Sequence, residues 1–209
     1  MNNKGILVVV SGFSGAGKGT LMKELLSRYD NYALSISVTT RTPRPGEQEG
    51  VHYFYRTEEE FDQMVEQNAF IEYARYVKHS YGTPKTYVEQ QLSAGKDVIL
   101  EIELQGALQV KKSRPETLLL FVTPPSAQEL RRRLVDRGSE EEDEINRRMA
   151  RAVEESREMS SYDYIVVNDE VSSCVDDMHK IIQSYHTATG NQMELIKKMQ
   201  KELKDMEEK

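Results

Sequence analysis

ILVVVSGFSGAGKGTLM, residues 6–22, is the stretch that decides the fold of this 209-residue chain. Residues 6–10 are apolar and mostly β-branched, which predicts a short buried strand. Glycines follow at positions 12, 15, 17 and 19, and a helix is predicted to begin near Lys18. A strand, a glycine turn and a helix start in this order are typical of a loop that binds phosphate.

The pattern Gly12-x-x-x-x-Gly17-Lys18 fits the phosphate-binding loop. Its backbone N–H groups surround phosphate oxygens, and its lysine reaches the terminal phosphates. Glycines are needed because these N–H groups converge only where residues adopt positive φ and carry no Cβ. The general pattern places Ser or Thr directly after the lysine, whereas here Gly19 comes first and Thr20 follows. We therefore expect magnesium to be held mainly through water. The alternative is a glycine-rich turn without a ligand.

The composition narrows the possible partners. With 38% hydrophobic and 30% charged residues, the chain resembles a soluble globular protein, and its length suits one domain with insertions. The formal net charge of −7 argues against coating nucleic acid or an acidic membrane, because both attract a basic surface. We expect neither as a partner.

The single cysteine and the apolar runs indicate the compartment. Cys174 has no second cysteine to bond, and its spacing to neighbouring apolar residues predicts a buried helix position. Residues 6–10 are too short for a signal-peptide core, and no run approaches membrane-spanning length. These features favour a cytoplasmic protein.

Apolar periodicity predicts the remaining elements. Strands are predicted at residues 34–37, 52–55, 97–102, 118–122 and 164–167, and within the aromatic-rich residues 70–81. Helices are predicted after the glycine turn and at residues 58–67, 87–92, 126–157, 171–186 and 191–209. Strands that alternate with helices imply a parallel sheet with right-handed crossovers.

Charged residues suggest where phosphate and metal are bound. Residues 39–50, TTRTPRPGEQEG, are too rich in proline for a helix, so Arg41 and Arg44 need a folded loop to share a target. The arginine-rich residues 126–157 suit a flap that stabilises transition-state charge. In both segments, solvated side chains with internal ion pairs remain an alternative. Glu101 lies near the carboxyl end of the predicted strand 97–102, where the acidic strand of a phosphate-loop protein meets magnesium.

An ordered set of segments across residues 5–186 resembles guanylate kinase, the enzyme family that phosphorylates GMP with ATP. The segments are SGFSGAGKGT (11–20), SVTTRTPRPGE (37–47), GVHYFY (50–55), FIEYA (70–74), YGTP (81–84), LEIELQG (100–106), FVTPPS (121–126), RLVDRG (133–138) and IVVND (165–169). Two departures stand out. Phe13 replaces the proline usual after the first loop glycine, and residues 78–80 read Lys-His-Ser where the family usually has Gly-Asn-Tyr.

The resemblance implies an α/β fold, that of the P-loop nucleoside monophosphate kinases. The core P-loop domain, built on a five-stranded parallel sheet, would comprise residues 1–36, 91–125 and 157–190. A GMP-binding insert would span residues 37–90 and a helical lid residues 126–156. Residues 191–209 would form a C-terminal helix, suited either to docking on the body or to pairing with a second chain as a homodimer.

The resemblance also implies roles for individual residues. The ATP-binding set would be Gly12, Phe13, Ser14, Gly15, Ala16, Gly17, Lys18, Gly19, Thr20 and Asn168. The GMP phosphate would be held by Arg41 and Arg44 with the hydroxyls of Tyr53 and Tyr81, and guanine would face Ser37, Glu72, Thr83 and Glu103. Glu101 would be the magnesium-side carboxylate, and Arg133, Arg137 and Arg148 would be lid arginines that act in catalysis with Lys18, Arg41 and Arg44.

Elementary chemistry agrees with these implied roles. Guanine presents N1–H and an exocyclic amine as adjacent donors, and a carboxylate such as Glu72 accepts from both. The acceptor phosphate is already anionic at pH 7, with a second pKa near ~6, so no general base is required. Catalysis would then rest on alignment and charge neutralisation, with Mg²⁺ accompanying ATP.

Two other functions remain as alternatives. One is a guanylate-kinase-like binding module without catalysis, although such domains typically lose the loop lysine or the clamp arginines. The other is a related small-molecule kinase acting on another phosphate acceptor, such as AMP or a sugar phosphate. The sequence also leaves open whether dGMP is used, because no residue singled out reads the ribose.

Overall fold

The strands and helices are those of a computed structural model that describes residues 4–76, 78–136 and 142–208. The strands are β1 (Leu7–Gly12), β2 (Tyr32–Leu34), β3 (Val38–Thr39), β4 (Phe54–Tyr55), β5 (Phe70–Tyr76), β6 (His79–Pro84), β7 (Asp97–Glu101), β8 (Leu118–Thr123) and β9 (Tyr164–Val167). The helices are α1 (Lys18–Arg28), α2 (Glu58–Glu66), α3 (Lys85–Ser93), α4 (Leu104–Ser113), α5 (Ala127–Asp136), α6 (Glu142–Ser156), α7 (Val171–Tyr185) and α8 (Met193–Glu207). Short 3-10 helices at Met159–Ser161 and Thr189–Gln192 complete the order.

The larger sheet has five parallel strands in the order β2-β7-β1-β8-β9. The central strand β1 pairs with β7 and β8 on its two sides, and its residues Val8, Val9 and Val10 have no exposed surface. A parallel strand is buried on both faces because its crossover helices cover the sheet, which explains the continuous apolar run. The predicted α/β fold with a five-stranded parallel core is confirmed.

The smaller sheet has the order β4-β3-β6-β5 and is mixed. Strand β3 runs parallel to β4 and antiparallel to β6, and β5 runs antiparallel to β6. Helix α2 packs on this sheet through Phe61, which forms a separate buried cluster with Val38 and Phe70. A capping box begins α2, because Thr57 and Glu60 each accept a hydrogen bond from the other's backbone N–H.

The carboxyl ends of the central strands face one open cleft. The glycine loop follows β1 directly, and Glu101 is the last residue of its neighbour β7. In open α/β sheets this edge is where ligands bind. The smaller sheet and helix α6 also contribute to the walls of this cleft, as the cleft-lining residues described below show.

Some predicted boundaries were wrong. The predicted strand at residues 34–37 is β2, Tyr32–Leu34, which the chain leaves before Ser37 to enter the other sheet. Helix α4 was not predicted, although Leu104, Ala107 and Val110 recur at helical spacing. The predicted burial of Cys174 on a helix is confirmed, and burial raises the pKa of its thiol to about 11.

Helix α8 leaves much of its apolar surface exposed. It packs chiefly on the 3-10 turn before it, and Met199, Leu203 and Met206 are open to solvent. Among residues 4–76, 78–136 and 142–208, no helix combines the length and hydrophobicity needed to span a bilayer.

Candidate active site

A cleft of about 670 Å³ lies at the carboxyl edge of the parallel sheet. Three parts of the chain line it: the glycine loop and strand ends of the core, the smaller sheet, and helix α6. The core contributes Gly12, Ser14, Lys18, Glu101, Ile102, Glu103, Leu104 and Phe121. The smaller sheet contributes Glu72, Ala74 and Tyr81, together with Ser37 and Tyr53, which directly precede β3 and β4. Helix α6 contributes Glu144, Arg147, Arg148, Arg151 and Glu155.

The glycine loop has the backbone that its sequence predicts. Gly12, Gly15 and Gly17 have φ values of +149°, +93° and +89°, in the region that favours glycine. A Cβ on Gly12 would lie 2.1 Å from the carbonyl oxygen of Val122, so only glycine fits there. Phe13, which replaces the usual proline, is buried edge-on against Phe121. Packing on β8 therefore holds this part of the loop.

The loop lysine and a buried asparagine tie the loop together. The Nζ atom of Lys18 donates to the carbonyl oxygens of Gly12 and Phe13 at 2.7 and 3.2 Å. The Nδ2 atom of Asn168, which directly follows β9, donates to the carbonyl oxygen of Ala16 at 2.8 Å. Asn168 is 3% exposed, so this bond is shielded from water. The predicted ATP-side residue thus buttresses the loop.

Glu101 lies on the floor of the cleft beside the glycine loop. It pairs in register with Val10 of β1, two residues before that strand ends at Gly12. Its carboxylate opens to the cleft, yet the surrounding walls partly desolvate it and raise its pKa, while the positive charge of Lys18 lowers it. Within the described part of the chain, no group of three or more His, Cys, Asp or Glu side chains could hold a metal ion. A metal at this carboxylate would need water and ligand oxygens to complete its shell.

Glu47 organises the proline-rich loop that carries the two predicted clamp arginines. Its carboxylate accepts from Arg41 Nη2, from the backbone N–H of Arg44 at 2.8 Å and from the hydroxyl of Tyr55 at 2.9 Å. The hydrogen bonds from Arg41 and the Arg44 backbone lower the pKa of Glu47 to about 2. Arg41 and Arg44 do not line the cleft itself, but the Arg41 guanidinium lies 5.4 Å from the centre of the Tyr53 ring, which does.

A buried carboxylate forms the far wall of the cleft. Glu72 on β5 is 8% exposed, and its Oε1 accepts a 2.6 Å hydrogen bond from the hydroxyl of Thr83 on β6. Burial raises the pKa of Glu72, the Thr83 hydroxyl opposes that rise, and the charge of Glu103 adds to it. Gly106 makes room for this side chain, since a Cβ there would lie 3.0 Å from Glu72 Oε2.

Helix α6, within the predicted lid, contacts both ends of the cleft. At the glycine loop, Arg148 Nη1 donates to the Ser14 hydroxyl at 2.8 Å, and Arg148 Nε lies 3.2 Å from Glu144. At the other end, Arg151 donates to Glu103, and its Nε lies 2.9 Å from Glu155.

The predicted site residues divide into groups. Those that line the cleft are Gly12, Ser14, Lys18, Ser37, Tyr53, Glu72, Tyr81, Glu101, Glu103 and Arg148. Those that do not line it are Phe13, Gly15, Ala16, Gly17, Gly19, Thr20, Arg41, Arg44, Thr83, Arg133 and Asn168. Arg133 instead pairs with Glu129 on its own helix, 2.7 Å away. Arg137 lies outside the described residues.

Sequence reasoning missed a stripe of charged residues on α6. Glu144, Arg148, Arg151 and Glu155 recur at spacings of four, three and four, which places them on one face of the helix, and only Arg148 was singled out. Helical spacing alone would have grouped them. It would not have shown that this face is turned to the cleft rather than to solvent.

Comparison with known proteins decides the family. The family model described as guanylate kinase matches residues 4–185. The chain belongs to the guanylate kinase family. A guanylate kinase from Latilactobacillus sakei subsp. sakei (strain 23K) is 46% identical over 200 residues, which cover 95% of this chain and 98% of that protein. One from Oceanobacillus iheyensis is 50% identical over 186 residues, covering 89% and 90%.

A solved guanylate kinase shares the architecture. The crystal structure of guanylate kinase from Anaplasma phagocytophilum matches with a TM-score of 0.71 at 30% identity, over 89% of this chain and 88% of that one. The family predicted from the ordered segments is therefore confirmed.

Proposed function

We propose that this protein is a guanylate kinase in activity, transferring the γ-phosphoryl group of ATP to GMP reversibly and giving ADP and GDP. The observation that carries the proposal is one cleft that joins a phosphate-binding loop to a buried carboxylate. Lys18 and Glu72 both line it, and family membership supports the same reaction. The product would enter purine nucleotide metabolism, in the cytoplasm.

The donor would bind at the glycine loop. Backbone N–H groups between residues 12 and 20 would surround the phosphates of ATP, with Lys18 at the terminal ones. Arg148 reaches this loop from the lid through Ser14, so its guanidinium is close to where charge develops during transfer. Arg133 and Arg137 would add positive charge from the same lid.

The acceptor would bind across the cleft. Arg41 and Arg44, with Tyr53 and Tyr81, would hold its phosphate, and Glu72 would accept from N1–H and the amine of guanine. The other guanine contacts would be Ser37, Thr83 and Glu103. Adenine presents an acceptor at N1, so it would leave the buried carboxylate of Glu72 unpaired, which is costly.

The chemistry needs alignment more than proton transfer. An oxygen of the GMP phosphate attacks the γ-phosphorus of ATP, the bond to the β-phosphate oxygen breaks, and ADP departs as an anion. Because the attacking phosphate is already ionised, no side chain has to remove a proton. The residues of the cleft hold the two phosphates in line, neutralise their charge and keep water from competing as acceptor.

The residues fit a magnesium ion that arrives with ATP. Mg²⁺ in nucleotide sites usually binds one or two carboxylates and substrate phosphates while keeping several waters, and Glu101 supplies one carboxylate beside the loop. Glu101 would hold it, mainly through water. When bound, the ion would neutralise phosphate charge and orient the leaving group.

A panel of acceptors tests the proposal. ADP formation from ATP is measured with GMP, dGMP, AMP and a sugar phosphate, with and without Mg²⁺. We expect turnover with GMP, little with AMP or the sugar, and dependence on Mg²⁺. Lys18→Met is expected to abolish transfer while the fold is kept, as judged by circular dichroism. A folded wild-type protein inert toward GMP and ATP would contradict the proposal.

A further inference from the structure

The ion pair between Arg151 and Glu103 joins the lid to the base end of the cleft. Arg151 belongs to lid helix α6, and Glu103 is the N-cap residue of core helix α4. The two positions are 48 residues apart in sequence. Of the α6 arginines that line the cleft, Arg148 reaches the phosphate loop, whereas Arg151 reaches this carboxylate.

Glu103 stands beside the carboxylate proposed to read guanine. It precedes Gly106 by three positions, so the two residues share a face of α4, and Gly106 is the residue that packs on Glu72. The negative charge of Glu103 is among the causes that raise the pKa of Glu72. Two carboxylates therefore converge where a base with adjacent N–H donors would lie.

Arg151 is itself held in place from behind. Its Nε lies 2.9 Å from Oε1 of Glu155, one helical turn further along α6, and the Glu155 side chain is only 15% exposed. Partial burial opposes the charged form of Arg151, but its hydrogen bonds to Glu103 and Glu155 together raise its pKa. The guanidinium of Arg151 is thus oriented from two sides, because its Nε contacts Glu155 on α6 and its Nη2 contacts Glu103 at the N-cap of α4.

We propose that Arg151 is a positioning residue for guanine recognition, acting through Glu103. Arg151 holds one oxygen of the Glu103 carboxylate and leaves the other to accept from the exocyclic 2-amino group of the base. It also offsets the repulsion between Glu103 and Glu72, and it ties the lid to the end of the cleft where the base lies. This inference rests on the proposed guanylate kinase activity.

The substrate pair GMP and IMP isolates this effect. IMP keeps N1–H and the phosphate of GMP but lacks the 2-amino group. Arg151→Gln is expected to lower the ratio of kcat/KM for GMP to that for IMP by about tenfold, the usual value of one charge-assisted hydrogen bond. Arg151→Lys, which keeps the charge without the fork, is expected to retain part of the preference.

A double-mutant cycle separates positioning through Glu103 from a general role in the lid. Once Glu103→Gln is present, adding Arg151→Gln is expected to change the GMP-to-IMP ratio no further. Arg28→Gln is the matched control, because Arg28 also bridges two elements, α1 and α7, through an acidic residue at 3.2 Å, but outside the cleft. It is expected to leave the ratio unchanged.

Each result has one meaning. Wild-type protein inert toward GMP would overturn the proposed activity, whatever the variants do. With an active wild type, an unchanged GMP-to-IMP ratio in Arg151→Gln would overturn the inference. An equal loss of kcat/KM with GMP and IMP would also overturn the inference, because it would mean that Arg151 acts only in the lid and not in base recognition. Additive effects of the two substitutions would exclude action through Glu103.

Discussion

A single nitrogen of Arg41, Nη2, contacts both oxygens of the Glu47 carboxylate, lying 2.8 Å from Oε1 and 2.9 Å from Oε2. The same carboxylate accepts from the backbone N–H of Arg44 and the hydroxyl of Tyr55. One acidic side chain therefore fixes the loop that presents the proposed phosphate clamp. Charge-assisted hydrogen bonds of this kind orient a guanidinium as well as stabilising it.

We predict that Glu47→Gln raises KM for GMP about tenfold, the scale of one charge-assisted hydrogen bond, while KM for ATP stays unchanged. The loop would lose its organising charge, and Arg41 would sample orientations unsuited to phosphate. Steady-state kinetics with each substrate varied in turn checks this. Glu49→Gln is the control, since Glu49 lies in the same loop but bonds Arg56 and the Tyr55 backbone instead. Equal effects of the two substitutions would contradict the prediction.

Glu72→Gln is expected to weaken the preference for GMP over AMP. A buried carboxylate that accepts two hydrogen bonds can discriminate by up to ~10⁴ to 10⁵ against a ligand that lacks them. Glutamine would offer one acceptor and one donor to guanine's two donors. The ratio of kcat/KM for the two acceptors is the measurement, and Glu66→Gln, an exposed position on α2, is the control. An unchanged ratio would remove Glu72 from base recognition.

The same substitution should stabilise the protein. Burial raises the pKa of Glu72 above its ordinary value of 4.5, so in the window above 4.5 the folded protein binds more protons than the unfolded chain. The free energy of unfolding therefore falls as pH rises above 4.5 and the carboxyl of the folded protein ionises. Glu72→Gln removes this cost, and we therefore expect the variant to have a higher Tm than the wild type at pH 8.

Thermal unfolding at a series of pH values checks the sign. The difference in Tm between Glu72→Gln and wild type should shrink as pH falls toward 4.5, because the wild-type carboxyl becomes neutral too. A difference that grows in acid would show that the carboxylate stabilises the fold. Turnover of GMP by the wild type should also decline as pH falls toward 4.5, because a protonated Glu72 no longer accepts hydrogen bonds from both guanine donors.

Local signals predicted the glycine loop and the two elements that flank it. The strand, the glycine turn and the helix start at Lys18 follow from residues close in sequence, and β1 and α1 fall where the pattern indicated. Positions 12, 15 and 17 have positive φ, which favours glycine, so the glycines in the sequence indicate the backbone conformation of the loop. The family then followed from the order of segments rather than from any one of them.

Contacts between distant segments could not be predicted in the same way. The pairing of Arg151 with Glu103 depends on how α6 crosses the edge of the parallel sheet, which no local pattern specifies. Glu47 was also missed as an organiser, since its spacing from Arg41 and Arg44 in a proline-rich loop has no fixed geometry. A strand was predicted at residues 34–37, but β2 spans Tyr32–Leu34. An apolar run predicts that a strand exists more reliably than it predicts where the strand begins and ends.

Asn168→Ala should loosen the phosphate loop. It removes the donor to the carbonyl oxygen of Ala16, a residue with no exposed surface, and leaving a buried acceptor without its partner costs ~1–3 kcal/mol. We expect a lower Tm together with a higher KM for ATP. Asn191→Ala is the control, because Asn191 Nδ2 also donates to a backbone carbonyl, that of Tyr185, at 2.7 Å but away from the cleft. A rise in KM for ATP in both variants would contradict the assignment.

Asp97 stabilises the opposite end of the sheet. It is 2% exposed, and its Oδ1 accepts from the backbone N–H of Ile6 at 3.0 Å and lies 2.8 Å from His186 Nε2 at the end of α7. Asp97→Ala should lower the free energy of unfolding by about 3 kcal/mol, because the Ile6 N–H and His186 both lose their acceptor. His186→Ala should cost less, about 1 kcal/mol, since Asp97 keeps the backbone donor. Urea unfolding measures both values.

The cleft lies at the other edge of the sheet, so kcat for GMP at 25 °C should be unchanged in His186→Ala. A loss of turnover in this variant would show that the two ends of the sheet are coupled.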